Sequence, residues 1–378
     1  MAKRSQKRTA RLNRAGGVGK TLPALSSLGE LPAFDELHPT EAQLAAFGPA
    51  CERAVAAASG QDVADQLVLG CVVRLDRGYP AVASAEELFR AEFATRLTKG
   101  DFSRVAVGDW VCARRPGTHE MGVIEEILPR ESDIARWKGG SRGERQTLAA
   151  NVDVVIVVQA VGPQVVDCAR IARSAVIARD CGAQVAVVLT KADRASAEVV
   201  QADVDAIHDV VGADVRVVVT SSERGHGVDE VRKLVPAGTI AIVLGESGAG
   251  KSTLLNALLG RDVLETGAVR QADDMGRHTT VARRMVSLPG AGIIVDEPGL
   301  RSLPLVGHER GLALVFPAIA ERAATCRFRD CTHTHEPGCS VREGLDEGLW
   351  SQGCHDAYLA LAAEMRESAS TLDPDVVI

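Results

Sequence analysis

The sequence predicts a multidomain α/β chain: a small β-barrel first, then a phosphate-loop α/β domain, then a helical domain built around a metal knuckle. Three observations predict it. Short β-like runs crowd residues 66–130. From residue 150 onward apolar runs alternate with helical stretches. Three cysteines and two histidines fall between Cys326 and Cys339. A length of 378 residues fits two or three domains. The expected boundaries are a basic extension with a helical segment (1–65), an oligonucleotide-binding-type barrel (66–130), a linker (131–149), the phosphate-loop domain (150–303) and the knuckle domain (304–370).

Composition excludes little but excludes it cleanly. Apolar residues make up 46% and charged residues 25%, ordinary for a globular chain. No run approaches the about 18 apolar residues of a membrane span, and no apolar leader opens the sequence, so the expectation is a cytoplasmic protein without a membrane partner. Nine cysteines, an odd number in a long chain, argue for a reducing compartment rather than a disulfide framework. The net charge of −7 gives no global signature of nucleic-acid binding.

Residues 1–20 nevertheless carry Lys3, Arg4, Lys7, Arg8, Arg11, Arg14 and Lys20 without an acid, either a solvated tail or a basic arm for nucleic acid. Gly16 to Thr21 imitates a phosphate loop, but Arg14 stands where its first glycine belongs and no strand precedes it. Residues 35–60 read as one or two helices. Five short runs follow, from Leu67–Arg74 to Gly122–Ile127, with the Gly108-Asp109-Trp110-Val111 turn between, as in a small barrel. Arg74, Arg77, Arg90, Arg96, Lys99 and Arg104 are expected to line a basic face on it. Residues 130–142 are polar, basic and glycine-containing, and read as a mobile linker in which Trp137 could stack on a base.

The run Thr239 to Leu244 leads into Gly245-Glu246-Ser247-Gly248-Ala249-Gly250-Lys251-Ser252-Thr253, and a helix-like stretch follows. Strand, G-x-x-x-x-G-K-[ST], helix is the phosphate-binding loop in its proper context. Its backbone N–H groups and the helix N-terminus cradle phosphate. Lys251 reaches the β- and γ-phosphates, and Ser252 ligates Mg²⁺. Thr190-Lys191-Ala192-Asp193 ends another apolar run, where open α/β sheets bind ligands. A carboxylate at Asp193 accepts the N1–H and N2–H₂ of guanine, a pattern adenine lacks. Thr220-Ser221-Ser222 ends the next strand and resembles the loop that touches the guanine carbonyl. Asp296-Glu297-Pro298-Gly299 resembles D-x-x-G, with Asp296 on Mg²⁺ and the Gly299 N–H on the γ-phosphate. Gly276-Arg277-His278-Thr279-Thr280 stands where switch I belongs, with Thr280 preferred over Thr279 as the Mg²⁺ ligand. Leu300 occupies the place of a water-positioning Gln, so slow intrinsic hydrolysis is expected, with His278 the candidate group in cis.

The order of these elements is itself informative. Both guanine elements precede the phosphate loop, the arrangement of a circularly permuted GTPase, which is tolerable because domain termini often lie close together. Farther on, C-x4-C-x-H-x5-C supplies Cys326, Cys331, His333 and Cys339, a Cys₃His set for one structural Zn²⁺, with His335 as the alternative fourth ligand. Arg327 and Arg329 inside the knuckle hint at RNA contact.

Together these motifs resemble the bacterial ribosome small-subunit-dependent GTPase A family, over about residues 66–365. The resemblance implies GTP hydrolysis to GDP stimulated by the 30S subunit in late maturation. It implies 16S rRNA and assembly factors as partners, a monomer, Mg²⁺ with GTP, and Zn²⁺ at the four knuckle residues. Two departures stand out: Thr190 where Asn is commoner, and Glu297 where Ser or Thr is usual. The other reading is an RNA-binding switch module whose slow hydrolysis is incidental.

Overall fold

Residue patterning decides which strands are buried on both faces. In β8 (Val154–Ala160), Val155 and Val157 enter one core while Ile156 and Val158 enter another, so the run is apolar without a break. β9 (Gln184–Thr190), β10 (Arg216–Val219), β11 (Ile240–Leu244) and β13 (Ile293–Asp296) continue this sheet, and β12 (Arg283–Ser287) runs antiparallel beside β13. Strands β10, β9, β8, β11 and β13 lie parallel in that order. Their carboxyl ends therefore share one edge. The computed structural model describes residues 30–58, 63–76, 79–98, 105–117, 121–138, 144–162, 165–261, 283–296 and 305–370.

The expected barrel is present. It consists of β1 (Leu67–Asp76), β2 (Tyr79–Ser84), β3 (Leu88–Phe93), β4 (Trp110–Arg114) and β5 (Gly122–Ile127). The ring runs β1–β2–β3–β5–β4 and closes through β1–β4 pairing, around a core that includes Val72, Val82, Phe89, Val111 and Ile124. β1 also pairs with β12 at Arg74↔Arg284 and Leu75↔Arg283, so barrel and parallel sheet are hydrogen-bonded into one. Helix α1 (Glu41–Ala57) opens on a Thr40–Gln43 capping box and packs on β4 and β5. The buried Gln43 amide then reaches the Pro129 carbonyl and Asn151. Helix α2 (Thr95–Thr98) is a single turn.

Two expectations fail here. The stretch 131–149 is not a linker. It folds into an antiparallel hairpin, β6 (Asp133–Lys138) with β7 (Glu144–Ala150), in which Ile134 and Leu148 are fully buried. Arg130 holds it to the barrel, donating to both carboxylate oxygens of the buried Asp109 at 2.6 and 2.8 Å and to Thr147 at 2.7 Å. Nor do Arg74, Arg90 and Arg96 form a basic face. Arg74 and Arg90 both close on Asp76, at 2.8 and 2.6 Å, and all three are nearly buried. Arg96 donates to the Glu125 carbonyl and lies 3.6 Å from its carboxylate. A cation neutralised inside the fold presents little field to a phosphate. Arg77, Lys99 and Arg104 lie outside the described residues.

The sheet is covered by α3 (Cys168–Asp180), α4 (Ala197–Val211), α5 (Val228–Arg232) and α6 (Lys251–Leu259). Beyond the sheet come two short helices, α7 (Glu309–Val315) and α8 (Pro317–Ala323). Phe316 leaves helical geometry because the ring of Pro317 disfavours it in the preceding residue. Two more helices, α9 (Ser340–Asp346) and α10 (Gln352–Ser370), complete the C-terminal region. Among the described residues no helix is long and apolar enough to cross a membrane.

Candidate nucleotide site and metal knuckle

Three of the expected motifs, and Asp296 of a fourth, meet at the carboxyl edge of the parallel strands. β9 ends on Thr190, β10 on Val219 before Thr220, β11 on Leu244 before the phosphate loop, and β13 on Asp296. The phosphate loop leaves β11 through Gly245, where a Cβ would sit 2.4 Å from the Val158 carbonyl oxygen, and it enters α6 through Gly250 at φ +90°. Both approaches demand glycine. Lys251 turns back over the loop, its Nζ donating to the carbonyls of Gly245 and Glu246, each at 2.6 Å.

The base loop is stitched to the phosphate loop. Thr190, 2% exposed, donates its hydroxyl to the Ala249 carbonyl at 2.6 Å. Lys191 takes the left-handed conformation (φ +58°) and its ammonium donates to the Gly248 carbonyl at 2.6 Å. The departure from Asn at position 190 therefore costs no tether, since the threonine hydroxyl supplies one. The second base loop closes against the first: the Ala192 N–H donates to the Thr220 carbonyl at 3.1 Å, and the Ser221 hydroxyl donates to Asp193 at 2.7 Å. That hydrogen bond holds the Asp193 carboxyl below its ordinary range, so it stays an anion at neutral pH. Thr190, Lys191, Asp193, Ser221, Ser222, Gly250 and Thr253 line one open cleft.

Asp296 stands half-buried at the end of β13, with Arg284 Nε 3.5 Å from its carboxylate. Arg284 is shared with Glu30, so the segment before α1 touches the edge that carries Asp296. His278, Thr279, Thr280, Glu297, Gly299 and Leu300 lie outside the described residues, as does the arm 1–20.

The knuckle residues converge. One ligand atom from each of Cys326, Cys331, His333 and Cys339 lies within 4.8 Å of all the others. The Cys326 and Cys339 sulfurs are 3.9 Å apart, and His333 Nδ1 is 3.5 Å from each. A tetrahedron with Zn–S bonds of about 2.3 Å has S···S edges of about 3.8 Å, so the donor set fits Zn²⁺. His335 is exposed and its Nδ1 lies 2.9 Å from the Thr334 hydroxyl, which leaves His333 as the fourth donor. The sequence did not single out Glu336. Its carboxylate accepts the N–H groups of Thr332 (2.8 Å), Thr334 (3.1 Å) and His335 (3.2 Å) and so braces the turn that carries His333 at φ +61°. The Thr332 hydroxyl and those N–H groups hold its carboxyl far below the usual range. Arg327, Phe328 and Arg329 are exposed on the outer side, with the Arg327 guanidinium 5.5 Å from the Phe328 ring centre.

Comparison with known proteins agrees with this geometry. A family model described as RsgA GTPase matches residues 127–306. The chain is 39% identical over 310 residues to the "Small ribosomal subunit biogenesis GTPase RsgA" of Streptomyces coelicolor, covering 82% of this chain and 84% of that one. It is also 39% identical over 315 residues to the protein of that name from Opitutus terrae, covering 80% and 83%. In fold it is similar to YjeQ from Thermotoga maritima (TM-score 0.59, 24% identity, 79% of this chain and 99% of that one). It is likewise similar to YloQ, described as a circularly permuted GTPase (TM-score 0.57, 21% identity, 80% and 96%). With both loops upstream of a phosphate loop that the first of them touches in space, and with relatives of this identity over four-fifths of its length, the chain belongs to the RsgA GTPase family and is a circularly permuted GTP hydrolase.

Proposed function

We propose that this GTPase acts in late maturation of the 30S ribosomal subunit, its turnover stimulated by that particle. The observation that supports the reading is the stitching of Thr190 and Lys191 to the phosphate loop, which brings Asp193 and residues of that loop into one cleft. The names of the relatives support the ribosomal setting.

In this reading Asp193 selects guanine, while Lys251 and the N–H groups of residues 245–253 hold the phosphates. Ser252, Asp296 and Thr280 would hold Mg²⁺, which offsets charge on the β- and γ-oxygens. The Gly299 N–H answers the γ-phosphate, and His278 orients the attacking water. Thr220, Ser221 and Ser222 wall the base. Cys326, Cys331, His333 and Cys339 would hold one Zn²⁺ whose four protein bonds leave no open position, a structural role. Exposed Arg327, Phe328 and Arg329 offer cation and ring to 16S rRNA. The chain works as a cytoplasmic monomer alongside other assembly factors.

An apolar Leu300 at the water-positioning place also favours a second reading, an RNA-binding switch in which slow hydrolysis is incidental. GTP turnover with and without isolated 30S subunits separates the two. Stimulation of at least tenfold is expected; a rate unchanged by the subunit favours the switch.

A further inference from the structure

Helix α3 touches the phosphate loop at one end and the C-terminal helices along the rest of its length. At its N-cap, Asp167 accepts the Arg170 N–H at 3.0 Å and its other oxygen lies 2.7 Å from Arg170 Nη2, which aims the guanidinium. Arg170 Nη1 then lies 2.7 Å from the Glu246 carboxylate. One turn on, Arg173 pairs with Glu364 of α10. At the far end Asp180 accepts the Gly311 N–H at 2.9 Å and stands 2.8 Å from His308 Nδ1. A Cβ on Gly311 would lie 2.1 Å from the Val176 carbonyl oxygen, so α7 and α3 meet backbone to backbone. Ile171, Ala172, Ala175, Val176 and Ile177 bury the inner face of α3.

Glu246 sits beside the ammonium that the GTP reading assigns to the phosphates. The carbonyls of Gly245 and Glu246 accept from the Lys251 ammonium in this structure. A phosphate bound at the loop would compete for that same ammonium and so change the partners of the backbone around Glu246. A contact whose partners differ between two states is what lets a ligand bias them.

We propose that Arg170 is a positioning residue of the phosphate loop, and that its grip on Glu246 is the contact through which nucleotide and the C-terminal helices bias each other. The proposal rests on the GTP reading above. Coupling of this kind is reciprocal, so loosening the C-terminal helices from α3 must alter nucleotide affinity.

The test uses the full chain, with equilibrium binding of GDP and a non-hydrolysable GTP analogue, and hydrogen exchange of α7 and α10 with and without nucleotide. Arg170→Ala is expected to shift the ratio of the two affinities by up to about fivefold, the ceiling for a pair whose side chains are 28% and 56% exposed. It is expected to abolish the nucleotide response of exchange in α7 and α10, and Arg170→Lys to restore most of both. Glu364→Gln, remote from the loop, is expected to shift the ratio in the same direction by about twofold. Should Arg170→Ala fail to fold, Glu246→Gln gives the same readout from the other side of the pair. An affinity ratio and exchange response equal to wild type in Arg170→Ala or Glu246→Gln overturns the proposal, as does a wild-type chain whose α7 and α10 ignore nucleotide. A wild-type chain that binds no guanine nucleotide overturns the GTP reading instead.

Discussion

The hydroxyl of Thr190 donates to the carbonyl of Ala249 at 2.6 Å, and this bond joins the end of β9 to the phosphate loop across 59 residues of sequence. It fixes the distance between the loop proposed to hold the base and the loop proposed to cradle the phosphates. In that reading one nucleotide satisfies both loops at once.

Replacing that hydroxyl with a methyl leaves the shape and removes the donor. Thr190→Val strands a buried carbonyl, a loss of about 1–3 kcal/mol. GDP affinity measured with a fluorescent nucleotide should fall by about five- to a hundredfold, with the barrel and knuckle unaffected. An unchanged affinity would mean that the Lys191–Gly248 bond suffices alone.

Asp193 gives a pH signature. The Ser221 hydroxyl lowers its carboxyl below the ordinary value, so the charged form persists as pH falls through the usual carboxylate range. The share of guanine affinity that depends on this anion is present above that range and is lost only as pH falls through the depressed value. Ser221→Ala should move the acid edge of GDP binding upward. Asp193→Asn should weaken GTP while improving binding of xanthosine triphosphate, whose base presents an acceptor where guanine presents a donor. A titration showing one edge for wild type and Ser221→Ala would refute the assignment.

The knuckle predicts a stoichiometric metal. Elemental analysis should find one zinc per chain in wild type and in His335→Ala, and a loss in Cys331→Ser or His333→Ala. Strong chelators should lower the melting temperature of the C-terminal helices, because the segment from Cys326 to Cys339 that carries the four candidate ligands packs against Tyr358 of α10, whose ring centre is 6.0 Å from that of His333. Zinc retained in the Cys331→Ser chain would remove that cysteine from the ligand set.

Asp76 predicts a stability effect where the sequence suggested a nucleic-acid effect. Burial pushes its carboxyl up, but Arg74 and Arg90 outweigh burial and leave it lowered. Its contribution to stability is therefore present at neutral pH and lost as pH falls through the lowered value. Asp76→Asn leaves two nearly buried guanidinium groups short of a counter-charge, a loss of about 3–5 kcal/mol, read as a drop in the denaturant midpoint. Arg90→Ala should lower the midpoint too. An RNA-binding defect at wild-type stability would restore Arg90 to the surface role.

Much of this protein is determined locally and so can be read from its residues alone. The phosphate loop, the base motif and the C-x4-C-x-H-x5-C spacing are each a few consecutive residues whose chemistry depends on backbone they carry with them, and their order along the chain declared the permutation. The short β-like runs between turns and the continuous apolar runs likewise marked the barrel and the parallel sheet, and Pro317 could have marked the break at Phe316. Contacts between distant segments are another matter. The run from Arg130 to Arg142 looks like a linker because its charges and glycines dominate composition, yet Ile134 and Leu148 find the core only once β6 meets β7. Arg74 and Arg90 look like a basic face until the β1–β2–β3 ring brings both onto Asp76. The choice of His333 over His335, the threonine tether at Ala249 and the Arg170–Glu246 pair all depend on where separate segments come to rest. Side-chain identity and spacing determine which chemistry is available, but tertiary packing decides which groups meet at hydrogen-bonding distance and which charges are neutralised.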